Sequence, residues 1–181
     1  MIAISLDPAV APVAVAGRGP LALRRFIGLQ ADGAHHPLLF TDQPETMDSP
    51  PATLRPHLPG AADLDALRAL WIAGLPDDEA ATLASLARAR RVLVNVEDRP
   101  ALCDFHSVAE VRRGDLLLTV STNGASPRLA ARIRARLATE YGANWADRLN
   151  LLRARRTAWR QQGGDLSALT DALLEANGWL A

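Results

Sequence analysis

Three stretches carry residue types at spacings that could do chemistry. Gly17-Arg18-Gly19-Pro20-Leu21-Ala22 matches the pattern G-x-G-x-x-G/A and lies between an apolar run and a helical pattern. In such a turn Gly17 makes the tight bend, Gly19 lets backbone approach a diphosphate, and Ala22 keeps the helix close to the strand. Asp42 follows twenty residues beyond Ala22, where a carboxylate for a ribose hydroxyl is expected. Asp98 ends the β-branched run Arg91–Val96 (RVLVNV) and is followed by Arg99-Pro100. Ser121–Pro127 (STNGASP) closes another apolar run and opens a helix bearing Arg128, Arg132, Arg134 and Arg136.

Each stretch also has a plainer explanation. Two glycines can make an ordinary strand-to-helix turn, and an aspartate before x-Pro often caps the next turn. Exposed arginines on a helix often serve only as a solvated surface. Arg18 could lie over phosphates, favour a 2′-phosphate, or point into solvent. His106 can relay a proton or bind metal, though an isolated histidine is more often structural, and His35-His36 have no partner spacing for zinc. Cys103 reads as a small packing residue.

Composition narrows the chemistry. All 20 basic residues are arginine, which excludes a Schiff-base lysine and the lysine of a Walker A loop. Formal net charge is zero, so nothing calls for nucleic-acid binding. A single cysteine excludes an intramolecular disulfide and a Cys-rich metal site. No apolar run approaches the roughly 18 residues that span a bilayer, and the N-terminus lacks the basic start of a secretory signal. The expectation is a cytoplasmic protein without a membrane partner.

The elements that must position these residues alternate in type. Ala9–Ala16 reads as a strand, Leu21–Ala31 as a helix stopped by Asp32-Gly33, and Pro37–Thr41 as a second strand. Residues 42–61 hold five prolines and read as a surface loop. Ala66–Ala73 supplies a third strand, Asp77–Arg88 a helix, and Arg91–Val96 a fourth buried strand of the kind parallel sheets use. Ser107–Arg112 and Asp115–Ser121 suit a hairpin turned at Arg113-Gly114, and helices follow over 127–139, 144–163 and 165–178 with a break at Gln162-Gly163-Gly164. The class is α/β: a Rossmann-type domain over 1–106, a small β region over 107–139 and a helical domain over 140–181.

The order VNVEDRP (94–100), CDF (103–105), RRGDL (112–116) and STNGASP (121–127), after VAGRGPLALRR (15–25), resembles the precorrin-2 dehydrogenase/sirohydrochlorin ferrochelatase family, the N-terminal part of siroheme synthase. The resemblance implies NAD-dependent oxidation of precorrin-2 to sirohydrochlorin, with Fe²⁺ as the substrate of the chelatase activity some members add. It implies a homodimer, its small β region serving dimerisation and the tetrapyrrole cleft. It also implies that Asp98 is catalytic and that Pro20, Leu21, Thr41 and Asp42 line the NAD site, beside Gly17, Arg18 and Gly19 of the glycine turn. The STNGASP turn is implied to lie by the tetrapyrrole cleft, where Thr122, Asn123, Gly124 and Ser126 offer free N–H groups to the carboxylate rim of the macrocycle. Arg128 and Arg132, one turn apart, can meet the same ligand, and His106 falls near its edge. Beside Glu97, a partly desolvated Asp98 could take a proton as hydride leaves.

The chain departs from the family pattern at Arg18 and Pro20 in the glycine turn, at Gly74-Leu75-Pro76 after the third strand, and at Val108. These departures keep a second reading open, a non-catalytic tetrapyrrole- or nucleotide-binding protein on the same scaffold. Within these 181 residues no methyltransferase domain is expected.

Overall fold

In the computed structural model, which describes residues 2–46, 50–161 and 165–179, the chain divides into two compact units, Met1–Ser107 and Val108–Ala181. The first begins with β1 (Val13–Gly17), buried along its whole length. The expected start at Ala9 is too early, because the Val10 and Ala11 amides close a turn on the Asp7 carbonyl and Pro12 has no N–H to offer a ladder. Then come α1 (Gly19–Ala31), β2 (Leu38–Phe40), β3 (Leu54–Arg55), α2 (Ala61–Asp65), β4 (Ala69–Ala73), α3 (Asp77–Ala89) and β5 (Leu93–Val96).

These strands form one parallel sheet in the order β3-β2-β1-β4-β5. Alternation along β1 divides the core between the two faces of the sheet. Val13 and Val15 pack with Ala22, Phe26 and Leu29 of α1. Ala14 and Ala16 pack with Leu64 of α2 and Ala80, Leu83, Ala84 and Ala87 of α3. Both helix stripes have the four- and three-residue spacing that keeps one face on the sheet. The chain reverses its winding between β1 and β4, so the crevice outside their carboxyl ends is the place where such sheets take ligands.

The described part of the Pro-rich loop from residue 50 onward is more ordered than its composition predicts. Thr53 and Arg55 carbonyls accept the Leu39 and Thr41 amides, which adds β3 as an edge strand. The opposite edge, β5, is closed by the Cys103-Asp104-Phe105 segment. Asp104 N donates to Val94 O at 2.8 Å, Asp104 Oδ2 accepts Val94 N at 3.0 Å, and Asn95 Nδ2 donates to Phe105 O at 2.9 Å. The Cys103 Sγ accepts the Val96 amide at 3.2 Å, so the cysteine helps hold the strand end.

The second unit is smaller in core. Its antiparallel hairpin joins β6 (Ala109–Arg113) to β7 (Leu116–Val120), with Val111 and Val120 buried beside Ala130 of α4 (Pro127–Glu140). Arg113 reaches the far end of α4, donating to Ala138 O at 3.1 Å and Tyr141 O at 2.9 Å, where helix carbonyls lack partners. The remaining helices are α5 (Trp145–Gln161) and α6 (Leu166–Asn177). The expected break at Gln162-Gly163-Gly164 lies outside the described residues.

Candidate functional site

The glycine turn stands at the carboxyl edge of β1. Gly17 has φ +156°, and a Cβ there would meet the Ala73 carbonyl oxygen at 1.7 Å. Reciprocally, Gly74 has φ +71°, and a Cβ on it would meet the Arg18 carbonyl oxygen at 2.2 Å. Arg18 N donates to Ala73 O at 3.2 Å across the same gap. The turns after β1 and β4 therefore interlock backbone to backbone, which only glycine at both positions permits. In the sequence Gly74 reads as part of a departure; its signal is the pairing of two glycines at the ends of adjacent parallel strands.

Gly19, at φ +63°, faces open space, with no heavy atom within 4 Å of where its Cβ would be. It opens α1, whose N-terminus has no side-chain cap and no acidic residue in its first turn. Pro20 sits in that turn, where its missing N–H costs nothing. Leu21 is 39% exposed at the same end. An uncapped helix start beside an open glycine face fits the diphosphate of a dinucleotide.

Arg18 does not point into solvent. Its Nε and Nη2 each donate to one oxygen of Asp42 at 2.7 Å, and its Nη1 and Nη2 donate to Glu79 at 2.9 and 2.7 Å. These hydrogen bonds hold the guanidinium charged even more firmly than usual, and the Arg18 bond holds the Asp42 carboxyl below its ordinary range. Thr41 is fully buried and its hydroxyl accepts the Gln43 amide, so it shapes the turn after β2 while Asp42 presents the carboxylate. Glu79, in the first turn of α3, gives no signal in the sequence because acidic residues at a helix start are ordinary.

Asp98 lies just past β5, in left-handed conformation at φ +60° and exposed. The partial desolvation expected for it falls instead on Glu97. That side chain is 14% exposed and paired with Arg24 at 2.9 Å, and its Oε2 is buried without a donor. The backbone turn at Asp98 sends one acidic side chain inward and the next outward. His106 is exposed in the same unit, next to Ser107, whose hydroxyl accepts Trp71 Nε1 at 3.1 Å.

The STNGASP turn belongs to the second unit and is largely occupied with itself. The Thr122 hydroxyl donates to Ser126 O and accepts Ser126 N, Asn123 N donates to Ser121 Oγ, and Ser126 Oγ accepts Leu129 N. The free N–H groups expected at Asn123 and Ser126 are thus already engaged, because the turn needs them to hold Asn123 and Gly124 at φ +52° and +80°. What the turn presents outward is the open face of Gly124 and the exposed guanidinium groups of Arg128 and Arg132. A separate cavity of about 360 Å³ lies between α5 and α6, lined by Leu149, Leu152, Leu169, Thr170, Arg153 and Arg156. It shares no residue with the sites expected from the sequence. No cluster of His, Cys, Asp or Glu able to hold a metal occurs among the described residues.

Interlocked glycine turns at the winding reversal of a parallel sheet define a Rossmann-type nucleotide-binding protein. The chain belongs to the putative NAD(P)-binding family whose model matches residues 4–109, and residues 113–140 match the sirohaem biosynthesis protein central region. It is 35% identical over 135 residues to a siroheme synthase of Methylococcus capsulatus, covering 71% of this chain and 28% of that one. A siroheme synthase of Thiobacillus denitrificans is 44% identical over 81 residues, 44% of this chain and 17% of that one. The chain therefore spans less than a third of the length of these relatives. Its fold matches the solved structure of SirC, precorrin-2 dehydrogenase, with TM-score 0.70 and 23% identity over 98% of this chain and 89% of that one.

Proposed function

We propose that this chain catalyses the NAD-dependent oxidation of precorrin-2 to sirohydrochlorin. The observation that carries the reading is the interlocked Gly17/Gly74 turn with an open, uncapped helix start beside it, in a chain whose relatives are siroheme synthases. Gly17, Gly19, Pro20 and Leu21 hold the diphosphate, and Asp42 receives the ribose hydroxyls. Bound NAD supplies the hydride acceptor. Asp98, exposed at the carboxyl edge of the sheet, takes the proton that leaves the macrocycle. His106 and the Thr122, Asn123, Gly124 and Ser126 turn border the substrate, and Arg128 and Arg132 pair with its carboxylates.

The same cleft and aspartate serve Fe²⁺ insertion into sirohydrochlorin, with the metal as substrate, which makes the chain a lyase as well as an oxidoreductase. The protein works in the cytoplasm as a homodimer. Leu129 and Ile133, exposed at 50% and 39% one turn apart on α4, support a contact in the region 107–139, with the helices of 140–181 as a separate domain.

The test is anaerobic incubation of precorrin-2 with NAD⁺, followed by Fe²⁺ or Co²⁺, read by absorption. NADH and sirohydrochlorin should form with the wild type and not with Asp98→Asn. Normal turnover by the Asp98→Asn variant removes Asp98 as the base. Binding of both ligands without any turnover by the wild type would establish the non-catalytic alternative instead.

A further inference from the structure

Glu79 belongs to none of the motifs that point to nucleotide binding, yet it holds half of the Arg18 guanidinium. Arginine carries five N–H donors. Four hydrogen bonds, two to Asp42 and two to Glu79, leave one donor on Nη1. The guanidinium is only 20% exposed on its side chain, and it carries one positive charge between two carboxylates. The three groups together carry one net negative charge.

A nucleotide whose ribose approaches Asp42 meets this cluster. The two hydroxyls of an unmodified ribose can still donate to Asp42, because each carboxylate oxygen accepts more than one bond. A 2′-phosphate cannot be received in the same way. It needs a cation with several free donors, and here the nearby cation keeps only one, inside a net negative cluster.

We propose that Glu79 determines coenzyme choice, by occupying the donors of Arg18 that would otherwise receive a 2′-phosphate. The inference rests on the reading that the glycine turn binds an adenine dinucleotide. Without the Glu79 carboxylate, two N–H donors return to Arg18 and the net charge of the cluster falls from minus one to zero. The same arginine then becomes a phosphate receptor beside the ribose.

The experiment is calorimetric titration of NAD⁺ and NADP⁺ into the wild type, Glu79→Gln, Glu79→Ala and the double variant Arg18→Gln/Glu79→Gln, with thermal unfolding of each. The Gln variant keeps the size of the side chain, so it guards against loss of the helix start. The wild type should prefer NAD⁺, and both Glu79 variants should narrow that preference by about tenfold or more. Glu79→Ala does so through two recovered donors, and Glu79→Gln, whose amide oxygen still accepts one bond, through one recovered donor and the lost negative charge. The narrowing should shrink as salt is raised and vanish in the double variant.

A preference unchanged in both folded Glu79 variants overturns the inference, as does a gain in NADP⁺ affinity that survives loss of Arg18. Failure of the wild type to bind either dinucleotide overturns the nucleotide reading itself, and with it this inference. The first two results leave that reading standing.

Discussion

Asp98 and Asp104 lie six residues apart and offer a sharp test, because Asp104 closes the edge of β5 whereas Asp98 is the base we propose for the reaction. Asp104 accepts Val94 N with Oδ2 at 3.0 Å and Arg88 Nε with Oδ1 at 2.8 Å, closing the edge of β5. Asp104→Ala leaves the partly buried Val94 amide without its partner, which costs about 1–3 kcal/mol. The ion pair to Arg88 is partly exposed and adds no more than about 1 kcal/mol. A loss near 2–3 kcal/mol lowers the melting temperature by roughly 5–10 °C for a chain of this size.

Asp98 is exposed and left-handed at φ +60°, a conformation asparagine also tolerates. Asp98→Asn should therefore leave stability within about 0.5 kcal/mol of wild type. Differential scanning calorimetry beside the precorrin-2 oxidation assay separates the two roles. Asp104→Ala should melt early yet retain turnover at low temperature, and Asp98→Asn should melt normally and turn over nothing. If Asp98→Asn proves as unstable as Asp104→Ala, or Asp104→Ala as stable as wild type, the division of labour is refuted.

Three further outcomes follow from the geometry. Gly17→Ala puts a Cβ at 1.7 Å from the Ala73 carbonyl oxygen, so the two turns must part; stability should fall by about 1–3 kcal/mol or more in urea unfolding, and NAD⁺ binding should be lost in titration. The Asp42 carboxyl is held below its usual value of 3.8 by Arg18, so its contribution is present above that value and is lost as pH falls through its lower folded value. The stability gap between wild type and Asp42→Asn should then be constant above about pH 5 and close only in more acid solution, as acid unfolding will read. Arg113→Ala removes both donors from the end of α4 and should cost about 1–3 kcal/mol, seen as early unfolding of the second unit by hydrogen exchange.

Much of the first unit is legible because its elements follow simple periods. β1, β4 and β5 are short apolar runs, α1 and α3 carry their buried residues three and four apart, and glycines mark where strands give way to helices. β3 is not, because a two-residue edge strand has no period to read. It exists through two main-chain bonds from β2, in a stretch whose prolines argue for a loop. The Cys103-Asp104-Phe105 motif is visible as a motif, but its work of closing β5 depends on amides that look like any others in sequence.

The candidate site divides along the same line. Positions fixed by the local path of the chain, Gly17, Gly19 and Asp98, are readable because a bend at the end of a strand has its own residue signature. Interactions that join distant parts are not. Arg18, Asp42 and Glu79 stand 24 and 61 residues apart in the two pairings, and each alone fits a plainer account: solvent-facing, ribose-binding, helix-capping. Only the folding of β1, β2 and α3 onto one sheet edge turns three ordinary charges into one cluster. An arginine within the glycine turn brings a cation to the carboxyl edge of β1, where, left unpaired, it would attract any anion. Two carboxylates on neighbouring elements constrain it. An arginine at position 18 is therefore compatible with a site that prefers an unphosphorylated ribose only while both partners stay in place.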